Sequence, residues 1–391
     1  MKEIDKGIVL FKNSPTDFIV EEVGEKGVSK ISDSTKRFDD SKVDLGELDI
    51  NDRRNFLSCD LEKIDMDHFT AFSLLGKSIR KLPHEIGYAG SKDKKAWTCQ
   101  RISIFAPDIE KIKSFSQKGM ILKNFRWIRH KIKIGDLNGN KFTIVLRDAD
   151  KEALKILSRV RNTDKIPNYF GKQRFGSLRK DNALIGKLIF KRKFQEAVFA
   201  FLTGYGENES EEVKNAKKRL KKERNLEEAK SYFPIDLFIE MKILEHLSQF
   251  PGDWINALML LGEKTLLMMG QSVQSILFND VLERVNEEGI EISTIDILGF
   301  DSKIPAGRFG KIQEEVMENH GLDIEDFMME EMPFLSLKGS QRKAYFNVHD
   351  LSIQIKNDEV FVGGKKIEMS FVLDSGNYAT TFLEQFFTLR E

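Results

Sequence analysis

Strand-like patterns occupy both ends of this chain and helical patterns fill its middle. That order constrains the fold more than any single motif does. Gly7–Val23 is rich in Ile, Val and Phe and reads as one or two strands. Gln100–Phe105 reads as a strand with Ile102 and Ile104 on one face, and Trp127–Ile134 and Lys141–Arg147 alternate apolar with polar positions. Between the last two lies Gly135-Asp-Leu-Asn-Gly-Asn140, a composition suited to tight reversal, so a hairpin is expected there. From Asn182 to Glu288 the pattern is almost wholly helical, and after Leu335 short strands are expected at Leu351–Ile355, Val360–Val362 and Glu368–Leu373. A closing helix is expected from about Ala379. Neither flank offers enough strands for a large sheet alone. The simplest solution pairs the flanks and leaves the middle as an inserted helical domain, an α+β fold.

With 391 residues, 40% of them apolar, the chain is long enough for two domains and a substantial core. Asp67–Leu82 carries Phe69, Phe72, Leu75, Ile79 and Leu82 at three- and four-residue steps, a helix stripe ended by Pro83. Ser32–Asp65 is acidic and polar with little periodicity, and reads as a loop or peripheral insertion. Two cysteines, Cys59 and Cys99, exclude a disulfide framework and a cysteine-based zinc site. No apolar stretch is long enough to span a membrane and the start MKEIDKG has no apolar segment of a secretory signal, so a cytoplasmic protein is expected.

The formal net charge is zero, with 62 basic and 62 acidic side chains, but the charges are segregated along the sequence. Lys111–Arg147 holds ten basic residues against Asp136, and Gly171–Lys193 holds eight against Asp181. Val281–Glu331 runs the other way, with fourteen acids against Arg284, Lys303, Arg308 and Lys311. Basic stripes on a neutral chain point to one surface for a polyanion and another kept away from it, although solvated faces produce the same runs.

Few motifs carry chemistry. Gly90-Ser-Lys lacks the upstream spacing of a phosphate loop, and the six histidines show neither HExxH nor paired metal-ligand spacing. Ala89-Gly-Ser-Lys-Asp-Lys-Lys-Ala-Trp-Thr-Cys-Gln100 differs from these: Asp93 stands alone among Lys92, Lys94 and Lys95 after a Gly-containing turn. Its bland reading is a neutralised turn aspartate. Its functional reading is an ionised carboxylate in a basic groove, able to attack or stabilise an electrophilic sugar carbon. A lone aspartate cannot run the two-carboxylate chemistry of a glycosidase.

These residues resemble the TruD-type RNA pseudouridine synthases. The Asp93 stretch is similar to that family's catalytic motif, and Asp17-Phe-Ile-Val-Glu-Glu22 to its N-terminal signature. Gly135-Asp-Leu-Asn-Gly-Asn140-Lys-Phe142-Thr-Ile-Val-Leu-Arg147 is similar to its second strand motif. Pro167-Asn-Tyr-Phe-Gly-Lys-Gln-Arg-Phe-Gly176 resembles the opening of its insertion domain, and Gln274-Ser-Ile-Leu-Phe-Asn279, with Arg284 behind it, its helical signature. Phe371-Val-Leu-Asp-Ser-Gly-Asn-Tyr-Ala-Thr-Thr381 resembles the closing motif, all six in the same order. Two departures stand out: Leu373-Asp374 where the family has Leu-Pro, and Leu383-Glu384-Gln385 where it has Leu-Arg-Glu.

The resemblance implies a mixed-sheet catalytic domain from residues 1–166 and 336–391, with an inserted helical domain at 167–335. It implies isomerisation of a uridine in tRNA, most often uridine 13 of the D arm, by a monomer needing neither cofactor nor metal. Asp93 would be the essential carboxylate. Phe142 would stack on the flipped uracil; the alternative is a core ring beside Ile144. Asn140 and Lys92 would orient Asp93 or the sugar, and Glu22 and Tyr378 would line the pocket. Gln173 and Arg174 would reach the RNA or fix the hinge into the insertion. Two other classes stay open, a catalytically silent RNA-binding protein and an interaction scaffold using the acidic 281–331 run.

Overall fold

The computed structural model describes residues 6–33, 38, 43–49, 52, 54–163, 165–176 and 181–390. They form two compact units, residues 1–166 with 346–391, and residues 167–345.

The first unit is built on a mixed nine-stranded sheet. We number the strands used below: β1 Gly7–Leu10, β2 Phe18–Gly24, β3 Phe56–Ile64, β4 Ile86–Tyr88, β5 Trp97–Phe105, β6 Met120–Ile128, β7 Gly139–Leu146, β8 His349–Asn357, β9 Lys365–Asp374 and β10 Phe387–Arg390. Along the sheet the order is β8-β9-β7-β2-β5-β3-β6, with β4 beside β5. β2 and β5 run parallel and the other neighbours on this path antiparallel. β1 pairs in parallel with β10, so both chain ends enter this unit twice, once in the large sheet and once in this ribbon.

Three sequence expectations are corrected here. The segment read as a loop contains β3, a central nine-residue strand between β5 and β6. Leu57, Cys59 and Leu61 point into the core, whereas Ser58, Asp60 and Glu62 lie on the other face, where Asp60 and Glu62 meet polar partners, so that face is as polar in sequence as a loop. The expected hairpin does not form: β6 is the far edge strand on β3, and β7 sits between β2 and β9. Val360–Val362 is not a strand but part of the turn between β8 and β9.

Registry places Phe371, Phe142, Val20 and Thr98 side by side across four strands. Two residues along lie Leu373, Asn140, Glu22 and, on β5, Gln100. Alternation puts all of these on one face of the sheet. The apolar members join Phe11, Phe18 and Phe382 in one core cluster. A second cluster packs Leu57, Leu61, Ile102 and Ile104 against helix α1, His68–Ile79. Asp67 caps α1 by accepting from the Thr70 amide, and Arg80 ends it in the left-handed conformation, before Pro83. Glu22, Asn140, Thr98, Gln100 and Lys63 form a polar seam between the two clusters.

The second unit is mainly helical, with one buried cluster organised around the 25-residue helix α2, Glu263–Glu287. Its Gly186–Met269 contact is so close that a Cβ on Gly186 would meet the Met269 carbonyl oxygen at 2.3 Å. Only glycine fits there.

Candidate functional site

Asp93 stands in the loop between β4 and β5, at one end of the polar seam. Its side chain is 43% exposed, and one carboxylate oxygen meets Lys12 Nζ at 3.1 Å. Lys12 is itself buried, lies 4.0 Å over the Phe18 ring, and has a left-handed backbone (φ 54°). A non-glycine residue held there is strained, a feature that recurs at functional sites.

The loop's backbone is fixed from beneath. Lys63 Nζ donates to the carbonyl oxygens of Asp93 and Met66, each at 2.7 Å, and Gln100 Nε2 donates to the Gly90 oxygen at 3.0 Å. Burial pushes the Lys63 ammonium down to about 8, with Asp93 and Asp67 pulling the other way. Neither Lys12 nor Lys63 was among the sequence candidates. Lys12 belongs to no motif, and Lys63 sits in the stretch read as a loop.

Lys92 does not reach Asp93 with its ammonium. It makes a 2.8 Å ion pair with Glu22, and both side chains are under 5% exposed. The other Glu22 oxygen accepts from the Arg101 amide at 3.1 Å. A buried pair of this kind is costly to break, about 3–5 kcal/mol when one partner is removed. Asn140 lies opposite Glu22 in the β2–β7 register. Its neighbour Gly139 passes so close to β9 that a Cβ there would meet the Leu373 oxygen at 2.2 Å.

Asn140 Oδ1, Gln100 Oε1 and Thr98 Oγ1 are buried with no hydrogen-bond partner among the described residues. Three orphaned polar atoms on one seam are unusual, because buried polar groups are ordinarily satisfied. Phe142 is only 5% exposed and stacks on Phe371 at 5.5 Å, with Phe18 at 6.0 Å. Tyr378 is 58% exposed, just before the closing helix Ala379–Leu383.

Other motif residues hold the fold. Asp17 and Arg147 form a buried ion pair at 2.8 Å, joined by Asp358. Asn279 exchanges two hydrogen bonds with the Phe170 backbone, and Gln274 donates to the carbonyl oxygens of Leu298 and Lys338. Arg174 donates to Ser275 Oγ at 3.2 Å and lies against the Phe170 ring. The Gln173 side chain lies outside the described residues.

Part of the charge segregated in sequence is paired in space. Lys111, Lys113, Lys123, Lys141 and Arg147 each meet a carboxylate. Lys191 and Arg192 pair with Asp326, and Arg192 also with Glu331, inside the run expected to be kept apart from them.

The sequence matches the family model for tRNA pseudouridine synthase D (TruD) over residues 6–296 and 293–386. A "Probable tRNA pseudouridine synthase D" from Methanopyrus kandleri is 33% identical over 340 residues, covering 83% of this chain and 84% of that one. "Probable tRNA pseudouridine synthase D 1" from Methanocaldococcus jannaschii is 30% identical over 390 residues, covering 96% and 95%. The crystal structure of the "Putative tRNA pseudouridine synthase D (TruD)" from Methanosarcina mazei superposes with a TM-score of 0.80 at 25% identity, covering 98% of this chain and 94% of that one.

Proposed function

The chain belongs to the tRNA pseudouridine synthase D family, and from that premise we propose that it isomerises a uridine of tRNA, uridine 13 of the D arm, to pseudouridine. The reaction breaks N1–C1′, turns the uracil and rejoins it through C5, while the C5 proton is lost and N1 gains one. Nothing is oxidised and no group departs, so the balance calls for no cofactor.

The observation that carries this reading is Asp93 beside a seam of unsatisfied polar atoms. Glycosidic cleavage leaves an electron-poor sugar carbon, which an ionised carboxylate stabilises or captures. Lys12 meets one Asp93 oxygen and aims the carboxylate, and Lys63 and Gln100 hold the loop that presents it. The uracil must first leave its stack, at a few kcal/mol. Asn140, with its orphaned oxygen, faces the base edge, and Phe142 on the same sheet face supplies the stacking ring. Lys92 and Glu22 act as one buried unit that keeps the seam's shape, and Tyr378 is an exposed pocket wall. For Arg174, the contacts to Ser275 and Phe170 favour fixing the start of the insertion; Gln173 is the RNA contact proposed there.

The test is incubation with bulk tRNA followed by carbodiimide mapping of pseudouridine. Asp93→Asn is expected to abolish the product while leaving tRNA affinity within about twofold, since phosphate contacts carry most of the affinity. Turnover within tenfold of the parent protein would end the role given to Asp93. Pseudouridine at a position other than 13 would overturn only the choice of uridine.

A further inference from the structure

On the sheet face opposite the Asp93 seam, β3, β5 and β6 carry a second polar set. Registry puts Ser58 directly opposite Arg126 on β6 and Ser103 on β5, with Asp60 opposite Arg101 one pleat along. Directly opposed side chains in an antiparallel pair have Cβ atoms about 4.5–5.5 Å apart. A cleft of about 530 Å³ opens over this set and is lined by Ser58, Arg101, Arg126, Ser29 and Lys26; three carboxylates also line it, the exposed Glu25 and Asp136 and the buried Glu22, which is paired with Lys92.

The arrangement depends on a bulge. The β3–β6 register shifts between Ser58 and Asp60, and Asn124 takes a left-handed conformation, φ 56°. Without the extra residue Phe125 would face Ser58. With it, the guanidinium-bearing residue does. Bulges commonly re-aim a side chain next to a site, and asparagine tolerates this backbone better than most residues.

Charge matching within the set is incomplete. Asp60 takes hydrogen bonds from Ser29 Oγ at 2.8 Å, Asn124 Nδ2 at 2.7 Å and Arg101 Nε at 3.3 Å. Its two oxygens are thereby occupied. Arg126 has no ion-pair partner among the described residues, and its Nε is buried without an acceptor. Ser58 is fully buried, and its hydroxyl also has no partner among the described residues. Burial, and then the adjacent Arg101, disfavour the charge on Arg126. A second acceptor is missing from a site that already has the donors.

We propose that this cleft is a phosphoryl-oxyanion site, with Arg126 and Ser58 as its donors and Arg101 as the neighbouring charge. A guanidinium fork matches two phosphate oxygens, and a hydroxyl at hydrogen-bonding range completes the set. The phosphoryl group comes either from the RNA backbone or from free phosphate. The RNA source rests on the function proposed above; the free-phosphate source does not.

The experiment uses the full chain with Arg126→Gln, Arg126→Lys and Ser58→Ala. In one arm, tRNA affinity is measured against salt concentration. A backbone phosphate at this site predicts a five- to tenfold loss of affinity in Arg126→Gln and a salt slope smaller by about 0.7–0.9. In the other arm, melting temperature is followed as inorganic phosphate replaces chloride at constant ionic strength. Free-phosphate binding predicts stabilisation of the parent protein that Arg126→Gln loses and Ser58→Ala reduces. Should Arg126→Gln not fold, Arg126→Lys and Ser58→Ala carry both arms. Unchanged tRNA slopes together with identical phosphate responses in folded variants would overturn the site. A silent tRNA arm with an Arg126-dependent phosphate response would keep the site and remove RNA as its source, whatever the outcome of the uridine assay.

Discussion

Phe142 has two demands on one ring. It stacks on Phe371 within the core cluster and is 5% exposed, yet it shares a sheet face with Asn140, two residues along. A ring so buried gives about 3–5 kcal/mol to stability, while stacking on a base gives about 1–3 kcal/mol. Phe142→Ala is therefore expected to lower stability by more than about 2 kcal/mol, read from urea unfolding. Single-turnover rates on the folded fraction separate the roles: a slowed rate adds base stacking to packing, and a normal rate leaves a core residue alone. At this scale the sequence identified Asp93 because its motif is short, contiguous and charged. It missed Lys12 and Lys63 because they reach the same loop from 81 and 30 residues away. Only folding makes those separations small.

Helix α1 was legible because the Phe72, Leu75 and Ile79 spacing, the Asp67 cap and Pro83 all act locally, although two of the five expected stripe residues, Phe69 and Leu82, are exposed and Leu82 lies past the helix end. β3 and the position of β7 were not legible, because they depend on partners distant in sequence. β3 looks polar until Asp60 and Glu62 meet Arg101, Ser29 and Lys123, and β7 finds β2 and β9 rather than its sequence neighbour. The first residue of α1 shows the same dependence. His68 is buried against Phe72 and Tyr88, and neither ring nitrogen has a partner among the described residues. Burial, then Lys63 on β3 and Lys92 in the Asp93 loop, push it down to about 4, against a smaller opposing pull from Asp67. As pH falls from about 6.5 to 4, the unfolded chain takes up a proton that the folded chain refuses, so stability falls across that window. His68→Phe keeps a ring in place and removes the titration. Its urea midpoint is expected to drop less between pH 7 and pH 4.5 than that of the parent protein; equal drops would assign the acid sensitivity elsewhere.

Charge at the scale of the molecule follows pairing in space rather than runs in sequence. In the second basic run, Lys191 and Arg192 are engaged within the protein. Lys191 meets Asp326 at 3.0 Å, and Arg192 meets Glu331 at 3.6 Å while donating to the carbonyl oxygens of Phe190, Asp326 and Met328. These side chains hold the helical unit together and have little charge left to offer a phosphate. In the first run, Lys118, Arg129 and Lys133 are exposed and have no carboxylate partner among the described residues. Each phosphate neutralised by a protein cation contributes about 0.9 to the salt slope on duplex nucleic acid and about 0.7 on single strands. Replacing Lys118, Arg129 and Lys133 together by Gln is therefore expected to reduce the tRNA salt slope by about 2–3 with little change in unfolding midpoint. Replacing Lys191 and Arg192 by Gln should do the reverse, lowering the midpoint and leaving the slope within about one unit. A slope that falls mainly in the second variant would mean that Asp326 and Glu331 release their partners when RNA binds, and would place Lys191 and Arg192 on the RNA-binding surface.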